Sequence, residues 1–121
     1  MSKFNDEQLK EFSRLVARYP EGKQKSALLP VLHLAQDSFG GWLSAETMDY
    51  VAELLQISPI EVYEVATFYT MFQLKKPGKH HIELCTNISC YLNGAEKVMK
   101  CAEKRLGIKA GETTKDGMFT L

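Results

Sequence analysis

The chain has 121 residues, 45% hydrophobic and 25% charged, with fifteen Lys and Arg balanced by fifteen Asp and Glu. That length holds one ordinary domain or two very small ones, and zero net charge gives no electrostatic reason to expect nucleic acid or an anionic membrane as partner. No apolar run approaches the roughly 20 residues that a bilayer span requires. The polar, acid-bearing start from Met1 to Glu7 resembles neither a secretory signal nor a transit peptide, which points to the bacterial cytoplasm. Three cysteines are an odd number, so a disulfide scaffold is disfavoured and the thiols read as structural, catalytic or metal-binding.

The first two-thirds of the chain reads as helices. Asn5, with Gln8 three residues later, forms a capping-box signal before Leu9, Phe12, Leu15 and Val16 at helical spacing; Pro20 and Gly22 end the segment. A second helix is expected from about Lys23 to Phe39, apolar on most faces and therefore central. Its Pro30 lies near the true first turn or kinks the helix. Gly40-Gly41 stops it. Ser44 caps a third helix, with Glu46 in its first turn and Met48, Val51, Ala52, Leu54 and Leu55 on its buried face. Ser58-Pro-Ile-Glu61 is a full capping box with proline at the first helical position. The fourth helix it opens carries Val62, Val65, Ala66, Phe68, Tyr69, Phe72 and Leu74.

Lys75-Lys76-Pro77-Gly78 is a break, and a domain boundary is expected there: residues 1–77 as a helical bundle, 78–121 as a second unit. His80–Leu84 reads as a short strand and residues 85–90 as a loop. A fifth helix from about Leu92 to Leu106 turns Ala95, Val98, Met99 and Ala102 to a core, with Gly107 as its stop. Gly111–Gly117 is a polar connector, and a second strand begins at Met118. The fold class is α+β, with the second unit half of a small α/β fold.

Cys85 and Cys90 close the strand and open the helix in a C-x4-C spacing. Thiolate is the ligand that iron–sulfur clusters use, so the pair is a candidate cluster cradle. Cys90, near a helix N-terminus, is expected to have a lowered pKa. Thr86, Asn87 and Ser89 leave backbone N–H groups free to bond cluster sulfurs. Two ordinary small side chains at a strand end and a helix cap are the plain alternative. Zinc usually takes tighter pairs, and a thioredoxin-type redox pair is normally C-x-x-C. After Cys90 the chain offers only Cys101, eleven residues on inside a helix, which reads as a buried core thiol. His33, between Leu32 and Leu34, reads as a core histidine. His80 and His81 are poor cluster ligands, because adjacent strand residues point to opposite faces. Phe68, Tyr69 and Phe72 read mostly as core, with a partner-facing surface as the alternative. Lys75-Lys76 and the helically spaced Lys97, Lys100 and Lys104 read as solvated faces.

Together, Ser26-Ala-Leu-Leu-Pro-Val-Leu-His-Leu-Ala-Gln36, Gly41-Trp-Leu43, Glu64-Val-Ala-Thr-Phe-Tyr-Thr-Met-Phe72, Cys85-Thr-Asn-Ile-Ser-Cys90 with Gly94, and Thr113-Thr-Lys-Asp-Gly-Met-Phe-Thr-Leu121 run collinearly through the chain. In this they resemble the thioredoxin-like [2Fe–2S] subunit of bacterial NADH:quinone oxidoreductase (complex I), the E or 24-kDa-type subunit. The resemblance implies a helical bundle followed by a thioredoxin-like domain, here its N-terminal half. It also implies one-electron transfer through a [2Fe–2S] cluster, with no catalytic residue. The partner it implies binds FMN and NADH, on the cytoplasmic side of the inner membrane and without membrane insertion of this chain. In that family two ligands come from a C-T-x3-C loop, which maps onto Cys85 and Cys90; a second pair is expected past Leu121. Equivalent subunits of NAD-linked hydrogenases and formate dehydrogenases share these motifs. A cluster-free assembly module and, less favoured by the x4 spacing, a thiol oxidoreductase are the competing classes.

Overall fold

A computed structural model describes residues 3–121. The chain divides into two compact units, the first ending at Lys76 and the second spanning Pro77–Leu121. The fold class is α+β. Among the described residues no helix is long and apolar enough to cross a membrane.

The first unit is all helical: α1 (Asp6–Val16), α2 (Leu28–Ser38), α3 (Ala45–Leu55) and α4 (Pro59–Phe68). Its helix starts follow from local chemistry. The Asn5 side chain accepts the Gln8 N–H and the Gln8 side chain accepts the Asn5 N–H, each at 2.9 Å, so two otherwise orphaned donors are satisfied at the head of α1. Ser44 Oγ accepts the Thr47 N–H at 3.2 Å at the start of α3. The Ser58 N–H donates to Glu61 at 2.9 Å, with Pro59 the first residue of α4.

Pro30 corrects the expected start of the second helix. It lies in the first turn of α2, and Gln24–Ala27 form a separate 3-10 turn before it. Proline has no N–H to give to the carbonyl four residues back, so the residues ahead of it take the tighter bonding, with Ser26 N–H on Lys23 O at 3.0 Å. The helix is central as expected: Val31, Leu32 and Ala35 are wholly buried. They join Leu43, Val51, Leu55 and Val62 in one apolar core, where α2 packs on α1, α3 and α4, and α3 on α4. Phe4 closes one end, stacked on Phe39 at 5.3 Å and edge-on to Tyr50 at 5.5 Å.

His33 is exposed, contrary to the expected core histidine; its ring lies 4.9 Å from that of Phe72. The buried stripe of α2 runs through Leu28, Val31, Leu32 and Ala35, and residue 33 falls off it. The fourth helix is also shorter than expected. Tyr69 turns extended, and residues 69–74 leave the helix. Gln36 on α2 holds this segment at two points, donating to Met71 O at 3.1 Å and accepting the Gln73 N–H at 2.8 Å. Phe72 is thereby buried while Phe68 is 77% exposed, so the aromatic run is only partly core.

The second unit contains β1 (His80–His81), α5 (Ile88–Leu92), α6 (Ala95–Leu106) and β2 (Phe119–Thr120). The strands are parallel, with His80 beside Phe119 and His81 beside Thr120. The strand expected over 80–84 is thus cut to two residues, although the Ile82 N–H still reaches Thr120 O at 2.8 Å. Gly78 enters the pair where only glycine fits: a Cβ there would lie 2.9 Å from the Phe119 backbone nitrogen. The expected polar connector folds back antiparallel on β2, with Thr114 N–H on Phe119 O at 2.8 Å and Leu121 N–H on Glu112 O at 3.1 Å. The expected fifth helix is present as α6, starting three residues later behind Gly94 at φ +95°, while α5 forms mainly within the expected loop. Neither contains a buried residue, and Val98, expected in a core, is 53% exposed.

Candidate metal centre

The chain leaves β1 through Ile82, Glu83 and Leu84 and reaches Cys85 at the surface. Asn87 then caps α5. Its Oδ1 accepts the Ile88 N–H at 2.8 Å, and its carbonyl accepts the Tyr91 N–H at 2.8 Å. Cys90 is the third residue of that short helix, held by a turn in which the Asn93 side chain donates to Ser89 O at 2.7 Å. The loop expected over 85–90 therefore ends in helix, and Cys90 sits inside its first turn.

Both thiols are free and exposed. The Asn87 backbone N–H, and after it the neighbouring Cys90 thiol, hold the Cys85 thiol below the ordinary thiol range. The same pairing, followed by the charge on Cys85, pushes Cys90 up. This reverses the expectation that Cys90 would have the lowered pKa. A five-residue helix contributes little dipole, and the pairing with Cys85 outweighs it. Asn87 bears on the site twice: its backbone N–H lowers the Cys85 pKa, and its side chain caps the following turn.

The donor set suits a thiolate-bound group. Two adjacent, water-accessible sulfurs, one of them already favouring the thiolate, are what an iron–sulfur cluster draws on. Among the described residues no group of three His, Cys, Asp or Glu is placed to hold a metal ion. His81 Nδ1 lies 3.6 Å from a Glu83 carboxylate oxygen, and the His80 ring lies 5.6 Å from that of Phe119. Cys101, expected in a core, is exposed on α6. The half-buried stripe of α6 passes through Ala95, Met99, Ala102 and Leu106, and residue 101 lies beside it.

One feature of the site goes beyond the sequence reading. Ile88, Tyr91 and Leu92 on α5 are 75%, 59% and 79% exposed, an apolar surface next to the thiols. Their i, i+3, i+4 spacing behind an Asn cap is the signal that points to it.

Residues 12–121 match the thioredoxin-like [2Fe-2S] ferredoxin family. The chain is 48% identical over 118 residues to the E-type subunit of the NADH-quinone oxidoreductase of Rickettsia conorii, an overlap covering 98% of this chain and 71% of that protein. It is 47% identical to the corresponding subunit from Rickettsia prowazekii, covering 67% of it. It is 44% identical to the mitochondrial NADH dehydrogenase [ubiquinone] flavoprotein 2 of Dictyostelium discoideum, covering 48% of it.

Proposed function

The chain belongs to the thioredoxin-like [2Fe-2S] ferredoxin family, and from that premise we propose that it is the electron-transfer subunit of an NADH:quinone oxidoreductase. The observation that carries this reading is the exposed Cys85–Cys90 pair, presented on a strand–loop–helix within the matched residues. Cys85 and Cys90 hold a [2Fe–2S] cluster as two of its four thiolate ligands. When bound, the cluster supplies a one-electron relay.

The remaining residues prepare the site. The Asn87 backbone N–H favours the thiolate of Cys85, and beside a bound cluster it would be a donor of the kind that tunes reduction potential. Asn87 and Asn93 hold the turn that carries Cys90. The chain's part in the enzyme is non-catalytic electron transfer.

The partner is the subunit that binds FMN and NADH, and the assembly sits at the cytoplasmic side of the inner membrane. Relatives named as NADH-quinone oxidoreductase and NADH dehydrogenase proteins favour this over the equivalent subunit of an NAD-linked hydrogenase or formate dehydrogenase. The test is co-expression with the flavin-bearing subunit of the same genome, followed by size-exclusion chromatography. Co-elution is expected, with an electron paramagnetic resonance signal of a reduced [2Fe–2S] cluster after NADH is added. Separate elution of the two proteins would sink the assignment.

A further inference from the structure

Cys85 and Cys90 are both free and both exposed, so a small reagent in water reaches either of them. Each is the side-chain neighbour of the other. Cys90 is carried there by the turn that opens α5, in which the Tyr91 N–H bonds back to Asn87 O at 2.8 Å and the Asn93 side chain to Ser89 O at 2.7 Å. No residue of α5 is buried, so this turn shifts without disturbing a core when two sulfurs close from contact to bonding distance. Cys101 is exposed as well, on α6 beyond Gly94. It is an internal control, a thiol with the same access and a different setting.

We propose that the metal-free chain takes Cys85 and Cys90 into one reversible disulfide by exchange with a low-molecular-weight disulfide. Either thiol attacks a sulfur of the reagent RS–SR. A bond to one SR group forms, the RS–SR bond breaks, and the first RSH departs with the proton of the attacking thiol. The neighbouring thiol then attacks the cysteine sulfur of this mixed disulfide. The Cys85–Cys90 bond forms, and the second RSH departs with the second proton. The pair is oxidised by two electrons and the reagent is reduced to two thiols. The second attack is what separates a pair from a lone thiol. A resolving thiol held within reach acts at an effective concentration that no free thiol attains, whereas a lone thiol stops at the mixed disulfide. Resting on the cluster reading above, this makes the pair a redox-gated site: a disulfide has no thiolate to give, so cluster assembly follows its reduction.

The test treats the metal-free 121-residue chain with excess glutathione disulfide, blocks remaining thiols with N-ethylmaleimide, and reads the tryptic peptides by mass spectrometry. Residues 80–97 form one such peptide with both thiols, and Cys101 falls in another. The expected 80–97 peptide is lighter by two hydrogens and carries neither glutathione nor maleimide, while Cys101 carries glutathione. Dithiothreitol is expected to restore the parent masses. Cys85→Ser is expected to keep glutathione on Cys90, because its resolving thiol is gone. Lasting glutathione on Cys85 or Cys90 of the parent, a link from either to Cys101, or maleimide on both Cys85 and Cys90 each overturns the disulfide. No step of this test involves iron, so its failure leaves the electron-transfer reading standing, and separate elution from the flavin-bearing subunit leaves the disulfide standing.

Discussion

The two units of this chain use their apolar residues differently. In the first, four helices surround one closed core in which Val31, Leu32, Leu43, Val51, Leu55 and Val62 have no exposure. In the second, Leu121 is the one hydrophobic side chain among the described residues that counts as buried, and both helices are without any. The first is held by side-chain packing, the second by backbone hydrogen bonds and turn geometry. The cysteine pair lies in the second.

Leu32→Ala should have the largest effect. It empties a fully buried position in the central helix and is expected to cost about 3 kcal/mol, read as a lowered midpoint in urea unfolding followed by circular dichroism. A loss under about 1 kcal/mol would mean the first core is as loose as the second unit. Gly78→Ala attacks the other frame. Its added methyl meets the Phe119 backbone, so the parallel pair must move apart, at a cost of about 2 kcal/mol. Hydrogen exchange should quicken at the amides of His80 and Ile82 and stay unchanged in α2 and α3. Equal quickening in both units would make them one cooperative body. Asn5→Ala removes one half of the α1 capping box and should cost about 1 kcal/mol in the same urea titration.

The smallest difference is chemical and lies within the second unit. The Cys85 pKa is lowered and the Cys90 pKa raised. Below the ordinary thiol range, Cys85 therefore carries more thiolate and should be alkylated by iodoacetamide several-fold faster than Cys90, as peptide mass mapping of the metal-free chain would report. Raising the pH ionises Cys85 fully first and Cys90 last, so the gap narrows only well above that range. Preferential labelling of Cys90 at neutral pH would contradict the lowered Cys85 pKa.

What can be read from the sequence also divides along this line. The caps at Asn5, Ser44 and Ser58 are legible because each is decided within three residues of itself. The C-x4-C motif and the five collinear segments lead to the family that matches residues 12–121. What the sequence hides depends on facing direction or on distant partners. The apolar neighbours of His33 and Cys101 suggest cores, whereas the stripe of each helix leaves both residues outside. The end of α4 at Phe68 depends on Gln36, more than thirty positions away, taking hold of Met71 and Gln73. The order of the two thiols' acidity rests on the Asn87 N–H near Cys85 and on the pairing of the two sulfurs, neither visible in a motif.

The parallel strand pair carries a consequence for how the protein is made. It joins His80 to Phe119, which is 119 less 80, or 39 positions apart, while the helix caps of the first unit each close over three. As the chain leaves the ribosome, the helical unit has everything it needs once Lys76 has emerged. The stretch bearing Cys85 and Cys90 then waits, its first strand unpaired, until Phe119 and Thr120 have been synthesised. During that interval both thiols lie on a chain whose strand pair has not yet formed.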